Sequence, residues 1–460
     1  MTRRQGPVSP NSQHRSRSSV RVLTGLFCFA LCLPAAWVQG ADITPTRSIT
    51  ANGMTVLFLE QHFLPTVEIH ALVKVGSAQD PPDKAGLANL TASLLDEGTL
   101  TRTSRQIAEQ IDFVGGSLEA HASEDYTTAS TRVLKKDADL GFTLLADILQ
   151  HPAFHKQEFE RVRTQILGEI VSDDDDPGNV AMKAFHQLIF HGHPYSWPAH
   201  GTEDTLNKIT VADVQQFHAR EYVPNQTILV VVGDLTQEQA SALVQTHFGS
   251  WKKGTPSLAQ LKKPSPLDRK MVQLIEKDLT QSTIVLGHTG VSRINPDYYA
   301  ITVMNYILGA GGFSSRLMDS IRDKQGLAYG IMSQFDSRVM PGAFFISLQT
   351  RTDVTNQAIT SVLAEIKTIR ETPVTDQELG EAKSFIVGSF PLRIDSSAKL
   401  ANVLAQVELY NLGLDYFTSY PKAIEKVTKD DVLRVAKQYL DPQHYALVVV
   451  GSIAKAKVKQ

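Results

Sequence analysis

The most regular pattern of apolar and polar residues in this sequence occurs twice. Residues 208–233 (KITVADVQQFHAREYVPNQTILVVVG) and 426–451 (KVTKDDVLRVAKQYLDPQHYALVVVG) align without a gap. Each copy predicts a helix that opens with a threonine and carries an aspartate three residues later, which is the spacing of a capping box. A turn with a proline and a wholly apolar strand follow, and such a strand is buried on both faces. The repeat therefore predicts two related lobes in tandem.

The rest of the pattern predicts mixed secondary structure in both lobes. We assign the lobes to residues 41–252 and 269–460, joined by a linker at 253–268 that is rich in Lys, Pro, Ser and Gly. Alternating apolar residues predict strands near the start of each lobe, and apolar residues at helical spacing predict amphipathic helices after them. The clearest predicted strands are 54–59, 67–75, 272–275 and 282–286, and the clearest helices are 85–95, 106–114 and 157–171. The fold class is therefore α+β, with each lobe a sandwich of helices on one face of a mainly antiparallel sheet.

The first 40 residues have the pattern of a secretory signal peptide. An apolar run at 22–33 is broken by Pro34, and residues 38–40 offer a cleavage site. The run is short for a membrane span of about 20 residues, so cleavage is favoured over the alternative of an uncleaved anchor. We therefore expect a periplasmic or secreted protein with no stable membrane span after cleavage. The basic residues before the run are Arg3, Arg4, Arg15, Arg17 and Arg21, and no acidic residue is among them.

Composition narrows the classes of function. Hydrophobic residues make up 42% and charged residues 20%, as in ordinary soluble globular proteins. The net charge of -3 argues against a dedicated nucleic-acid-binding protein, which shows a basic excess. The two cysteines of the chain, Cys28 and Cys32, both lie in the predicted signal peptide. The predicted mature chain therefore has no disulfide, no thiol nucleophile and no metal held by cysteine.

Other clusters that suggest chemistry have simpler structural explanations. His191, His193 and His200 are close in sequence, but the Gly, Pro and Trp residues around them predict a tightly packed loop, with a metal site as the weaker alternative. The acidic run 173–176 lacks the EF-hand spacing and predicts a solvated turn. The glycines at 310–312 follow an apolar helix and predict a helix C-cap. No GxSxG sequence is present for a serine nucleophile.

Residues 86–99 and several later segments resemble a known peptidase family. Residues 86–99 read GLANLTASLLDEGT, which resembles the signature helix GLAHxxEHxxFxGT of the M16 (pitrilysin/insulinase) zinc peptidases. The chain length, the tandem repeat and the predicted export resemble the bacterial M16B subgroup. The resemblance implies two lobes of the LuxS/MPP-like metallohydrolase fold. The further similar segments are GGSLEAHASEDYT (115–127), residues 160–177, HPYSWPAHG (193–201), YVPNQTILVVVGD (222–234) and YILGAGGFSSRLMDSIRDKQGLAYG (306–330).

The zinc-binding residues of that family are missing here. In the family's inverted motif, His, Glu and His at i, i+3 and i+4 place two imidazoles on Zn²⁺ and a general base beside the metal-bound water. The corresponding residues are Asn89, Ala92 and Ser93, and none of them can replace its counterpart. The resemblance assigns the third ligand to Glu169, but one carboxylate cannot hold zinc, and a solvated glutamate at a helix end is the better interpretation. We therefore expect no metal in this chain.

A second family motif is kept in the C-terminal lobe. The resemblance implies that an Arg and a Tyr seven residues apart contact the substrate backbone and help to stabilise the charge that forms at the scissile carbonyl. Arg322 and Tyr329 have this type and spacing, and both side chains can donate a hydrogen bond to a developing oxyanion. The alternative is a surface arginine paired with Asp319 or Asp323, beside a tyrosine packed at the start of a strand.

The region 117–128 corresponds to the edge strand to which peptides add in the family. Peptides bind such an edge through backbone hydrogen bonds. The alternation of residues there, with Gly115 and Gly116 ahead of it, permits an accessible edge. This resemblance adds an extended peptide to the expected ligands.

Three hypotheses of different class follow. The leading one is a non-catalytic, substrate-binding subunit that forms a heterodimer with an HxxEH-bearing M16 chain, with zinc in that partner and peptides as substrates. The second is an inactive M16-like scaffold or binding protein in which Arg322 and Tyr329 have no use. The third, an autonomous metallopeptidase with an unrecognised site, is disfavoured because the motif is missing.

Overall fold

A computed structural model describes residues 43–256 and 261–458, and the predicted signal peptide at 1–40 lies outside them. No helix in the described ranges is long and apolar enough to span a membrane. The strands are β1 Thr46–Ile49, β2 Thr55–Glu60, β3 Thr66–Val73, β4 Ser117–Ala122, β5 Thr127–Leu134, β6 Thr227–Gly233, β7 Met271–Glu276, β8 Gln281–Thr289, β9 Ala328–Asp336, β10 Ala343–Arg351 and β11 Ala446–Gly451. The α-helices are α1 Leu87–Ala92, α2 Ser104–Phe113, α3 Ala138–Gln150, α4 Lys156–Asp175, α5 Pro177–Ile189, α6 Glu203–Leu206, α7 Val211–Glu221, α8 Gln237–Phe248, α9 Tyr298–Asn305, α10 Thr355–Glu371, α11 Asp376–Ser389, α12 Ser397–Leu409, α13 Tyr416–Lys426, α14 Lys429–Tyr439 and α15 Ile453–Ala456.

The strands form two sheets with the same topology. The first has the order β1-β2-β6-β3-β5-β4, and the second has the order β7-β11-β8-β10-β9. Without β1, each strand of the first sheet has one counterpart in the second, in the same place and in the same chain order. The β2–β6 and β7–β11 pairs are parallel, and the other pairs are antiparallel. The predicted fold class, two tandem α+β lobes with mainly antiparallel sheets, is confirmed.

The repeated helix and strand occupy equivalent places in the two lobes. Helices α7 and α14 both open with a capping box: Thr210 and Asp213 exchange side-chain-to-backbone hydrogen bonds at 3.3 and 2.9 Å, and Thr428 and Asp431 do so at 3.1 and 3.0 Å. Each box satisfies two N–H groups that an α-helix leaves unpaired at its start. Strands β6 and β11 are buried at every position, as a wholly apolar strand requires.

The two lobes exchange one helix each. Helix α12 of the C-terminal lobe packs on β3 and β6 of the first sheet, where its Leu400 and Leu404 share a buried core with Leu72 and Val230. Helix α5 of the N-terminal lobe packs on β8 and β11 of the second sheet. Each sheet is thus covered on its second face by the other lobe, which buries that face without extra domains. Residues 43–460 accordingly form one compact unit, in which the predicted boundaries at 252 and 269 fall between α8 and β7.

A buried polar junction also joins the lobes. It connects the turn 123–126 after β4 with the segment 337–342 after β9. The Tyr195 hydroxyl donates to Asp125 Oδ1, the Val339 N–H donates to Asp125 Oδ2 at 2.8 Å, and the Met340 N–H donates to the Tyr195 hydroxyl at 3.2 Å. Burial raises the pKa of the Asp125 carboxyl, and these donors work against that rise. The ends of both edge strands, β4 and β9, are therefore held together.

Candidate functional site

Two π-helical segments lead up to the strand that carries Tyr329, and the second of them carries Arg322. The first, Tyr306–Ala310, continues α9, and the second, Met318–Lys324, carries Arg322. A turn at Gly326, whose φ of 62° favours glycine, leads from the second segment into β9, where Tyr329 is the second residue. Single π turns are rare and often mark functional sites, because they re-aim the side chains of one helical turn. The sequence pattern predicted neither segment.

Arg322 is held by aromatic rings more than by carboxylates. Its guanidinium carbon lies 5.4 Å from the centre of the Tyr329 ring and 4.7 Å from the centre of the Phe313 ring. The nearest carboxylate oxygen, on Asp323, is 3.8 Å away, while Asp319 pairs with Lys324 at 2.6 Å. The guanidinium therefore keeps its N–H donors available for a ligand while the rings fix its place.

The aromatic rings of this cluster project into solvent. Tyr329 is 88% exposed and Phe313 is 73% exposed. Neighbouring exposed rings form an apolar patch, and contiguous patches of this kind mark interaction sites more often than single exposed residues do. Phe313 was not among the residues predicted for the site. Its only sequence signal is its place in the glycine-rich segment before Arg322.

An ion pair anchors the chain segment between the two π-helical segments. Arg316 donates to both oxygens of Glu378, at 2.6 and 3.0 Å, and the Thr375 N–H donates to the same carboxylate at 2.8 Å. Burial alone would raise the pKa of Glu378, but the hydrogen bonds from Arg316 and Thr375 outweigh it and lower the pKa to about 2. The segment that carries Phe313 is therefore tied to the start of α11.

Arg322 and Tyr329 line an open groove of about 1500 Å³. Its floor is the second sheet near the edge strand β9, and its far wall is the N-terminal part of α5, with Asn179 and Met182. Both lobes thus contribute to the groove because α5 crosses to the second sheet. The volume exceeds the range of about 300–1,000 Å³ that is usual for small-molecule sites, and it can hold an extended peptide.

The N-terminal lobe presents an edge strand as well. Strand β4 lies at the edge of the first sheet, and its residues alternate between exposed and half-buried. Along one side, β4 forms its backbone hydrogen bonds with β5, and no other described strand pairs with it. The other side therefore has the geometry that peptide addition requires.

The degenerate zinc-motif positions do not form a metal site. Asn89 and Ala92 lie on α1, which ends before Ser93 and is shorter than the predicted helix 85–95. Glu169 lies on the exposed side of α4 and accepts a hydrogen bond from Gln165 at 3.0 Å. No group of three or more His, Cys, Asp or Glu side chains in the described ranges is placed to hold a metal ion. The donor set of these four positions, an amide, a methyl, a hydroxyl and one carboxylate, does not fit zinc.

Two family models and several known proteins are similar to this chain over most of its length. Residues 55–203 match the model for "Insulinase (Peptidase family M16)", and residues 208–385 match the model for "Peptidase M16 inactive domain". An uncharacterized zinc protease of Mycobacterium leprae is 30% identical over 417 residues, which are 89% of this chain and 92% of that protein. The chain belongs to the M16 peptidase family. The M16 relatives also include the "Non-peptidase homolog YmxG" of Helicobacter pylori, 27% identical over 434 residues, or 94% of this chain and 99% of that protein.

Two solved structures have the same two-lobed fold. The "peptidase M16 inactive domain" of Pseudomonas fluorescens superposes with a TM-score of 0.84 at 29% identity, covering 88% of this chain and 98% of that one. A protease of Helicobacter pylori superposes with a TM-score of 0.82 at 23% identity, covering 89% and 99%, which shows the shared fold alone.

The structure brings together only part of the residues that the M16 resemblance singled out. Arg322 and Tyr329 are in contact and share the groove. Asn89, Ala92 and Ser93 lie on and beside α1 in the other lobe, and none of them lines that groove. Within this chain, the Arg and Tyr that the resemblance singled out are therefore in contact, and the positions that correspond to the zinc motif lie apart from them.

Proposed function

We propose that this chain is the non-catalytic, substrate-binding subunit of a two-chain M16-type zinc peptidase that acts on peptides outside the cytoplasm. The observation that carries the proposal is the contrast between the two halves of the M16 site. Arg322 and Tyr329 are held together at a peptide-sized groove, whereas the positions of the zinc ligands carry residues that cannot bind zinc. The partner would be an M16 chain that keeps HxxEH, and it would hold the Zn²⁺.

In this proposal, this chain binds and polarises the peptide through Arg322, Tyr329 and Phe313, which together are called the peptide grip. Zinc in the partner would supply Lewis-acid chemistry and an activated water. The Arg322 guanidinium and the Tyr329 hydroxyl donate hydrogen bonds to the peptide backbone and to the scissile carbonyl oxygen as negative charge develops there. Phe313 and Tyr329 restrict the guanidinium to one place, so little ordering is left to occur during the reaction.

The test is reconstitution with variants of the grip. The purified chain is mixed with a co-encoded HxxEH chain, and cleavage of a quenched peptide library is measured. Arg322→Ala and Tyr329→Phe are each expected to lower kcat/KM by roughly 10²–10³, the usual cost of losing one oxyanion donor. Arg105→Ala, an exposed residue of α2, is the matched control and should leave kcat/KM unchanged. Unchanged cleavage with both grip variants would contradict the proposal.

A scaffold or binding role without catalysis is the second candidate. It is favoured by the "inactive domain" description of the family model that matches residues 208–385 and by the "non-peptidase" name of the Helicobacter pylori relative. In that case the double variant Arg322→Ala/Tyr329→Phe leaves partner binding and every phenotype of the wild-type chain intact. Loss of a peptidase phenotype in the double variant would exclude this candidate.

A further inference from the structure

A separate cavity of about 320 Å³ lies where the two lobes meet. It is bounded by the turn 123–126 after β4, the end of β9 with residues 337–338, and the sides of α9 and α12. None of the residues assigned to the peptide grip lines it. Four aromatic residues, three carboxylates and two arginines do: Tyr126, Tyr298, Phe335, Tyr410, Glu124, Asp125, Asp336, Arg293 and Arg338.

Arg293 is a buried cation without a counter-ion. It is only 9% exposed, and its guanidinium carbon stacks 3.7 Å from the centre of the Tyr298 ring. One N–H group donates to the Tyr416 hydroxyl at 3.0 Å. Among residues 43–256 and 261–458, no carboxylate lies within ion-pairing distance of the guanidinium, and its other N–H groups have no acceptor. A buried charge left unpaired is costly, and Arg293 lines the cavity from which an anion could reach it.

The other arginine of the cavity is ion-paired with two of the carboxylates. Arg338 donates to Asp336 Oδ2 at 2.7 Å, and its Nη1 atom lies 3.0 Å from Glu124 Oε1 without hydrogen-bond geometry. In the part of the chain that the structure describes, the second oxygen of Asp336 and of Glu124 has no partner. Asp125 is used by the junction with Tyr195. The cavity therefore combines an unpaired cation with carboxylate oxygens that still have acceptor capacity.

We propose that this cavity binds a small α-amino-acid zwitterion. The ligand carboxylate pairs with the Arg293 guanidinium and accepts from the Tyr410 hydroxyl, which has no hydrogen-bond partner among the described residues. The ligand ammonium donates to the free oxygens of Asp336 and Glu124. The volume is at the lower end of the range for small-molecule sites, and the aromatic walls favour an apolar or aromatic side chain.

The charge pattern distinguishes this ligand from simpler ones. An isolated anion would meet Asp336 and Glu124, and an isolated cation would meet Arg293, so each would face one group of its own sign. A molecule that carries both charges on one carbon avoids both repulsions. Because the ligand would touch the turns after β4 and β9 together with α12, binding would also tighten the contact between the lobes.

Isothermal titration of the full chain with L-phenylalanine tests the proposal. Saturable binding is expected, and N-acetyl-L-phenylalanine and L-phenylalanine amide, which each lack one charge, should bind at least about tenfold more weakly because a charge-assisted pair is lost. Equal binding of all three compounds, or no saturable binding of L-phenylalanine up to about 10 mM, well above the Kd range usual for specific ligands, overturns it. Stronger binding of the dipeptide Phe-Phe than of the free amino acid also overturns it, because a peptide terminus would then be the ligand.

Two variants assign the binding to this cavity. Arg293→Gln should abolish the titration, and Arg105→Gln, an exposed arginine on α2, should leave it unchanged. Because Arg293→Gln also loses the Tyr298 stack and could impair folding, Tyr410→Phe serves as the second variant. It removes one hydroxyl that has no described partner, so the fold is retained and binding should weaken about fivefold to tenfold. Wild-type affinity in Tyr410→Phe, or in a folded Arg293→Gln, would place the ligand elsewhere and overturn the proposal.

Discussion

Replacing Glu378 with glutamine should destabilise the chain in a way that depends on pH. Glu378 accepts both hydrogen bonds of Arg316, and it holds the segment before Arg322 against the start of α11. Both side chains are mostly shielded from solvent: the Arg316 side chain is 16% exposed and the Glu378 side chain is 26% exposed. Glutamine keeps the size of the side chain but removes the charge, so the Arg316 guanidinium loses its ion pair.

The magnitude follows from the pKa of Glu378. It falls from 4.5, its ordinary value, to about 2 in the folded chain. Each pKa unit corresponds to about 1.4 kcal/mol, so the ionised carboxylate adds about 3 kcal/mol to the free energy of unfolding at pH 7. Because the folded pKa is depressed, this stability is present above pH 4.5 and is lost as the pH falls through about 2. About 1.5 kcal/mol remains at pH 3.

Urea unfolding of the wild-type chain and of Glu378→Gln at pH 7 and pH 3 measures this difference. The gap in unfolding free energy is expected to be about 3 kcal/mol at pH 7 and about 1.5 kcal/mol at pH 3. Glu381→Gln on the same helix is the control. Its exposed side chain accepts a hydrogen bond from Gln377 and forms no ion pair within the described residues, so a change within about 0.5 kcal/mol is expected. A gap that does not change with pH would refute the argument.

Three further predictions concern the grip, the junction and the repeat. Phe313→Ala should lower kcat/KM of the reconstituted peptidase about fivefold, because losing the ring contact of about 1 kcal/mol leaves Arg322 less firmly placed. Thermal stability should not change, since the ring is exposed. Unchanged kinetics would remove Phe313 from the site. Tyr195→Phe should cost about 1–3 kcal/mol in urea unfolding, because the buried Asp125 carboxylate loses a donor; a neutral effect would show that the junction is not needed for stability. Thr428→Ala should cost about 1 kcal/mol in the same assay through loss of the α14 cap, and an effect below 0.3 kcal/mol would count against it.

Local signals in the sequence were sufficient to predict the helix and the strand that occur in both lobes. The Thr and Asp at the starts of α7 and α14 define a capping box within four residues, and the apolar runs of β6 and β11 define buried strands. These features depend on neighbours in the chain, so pattern and spacing identify them. The gapless repeat then predicts that both lobes have one topology, as the sheets confirm.

Features that depend on distant residues could not be predicted in this way. The apolar stripe of α5 or α12 shows that the helix packs on something, but it does not show that the partner is the sheet of the other lobe. The short length of α1 and the π-helical segments around Phe313 also depend on packing rather than on propensity. As a result, the sequence supplied Arg322 and Tyr329 through the family resemblance, while Phe313 and the α5 wall of the groove appeared only in the structure.

The central claim is that this chain supplies the grip but not the metal of a two-chain peptidase. The most direct measurement is zinc content and peptide cleavage for the chain alone, for a co-encoded HxxEH chain alone, and for their equimolar mixture. We expect no stoichiometric zinc in this chain and cleavage only in the mixture, with one zinc per heterodimer. Chelator-sensitive cleavage by this chain alone would contradict it.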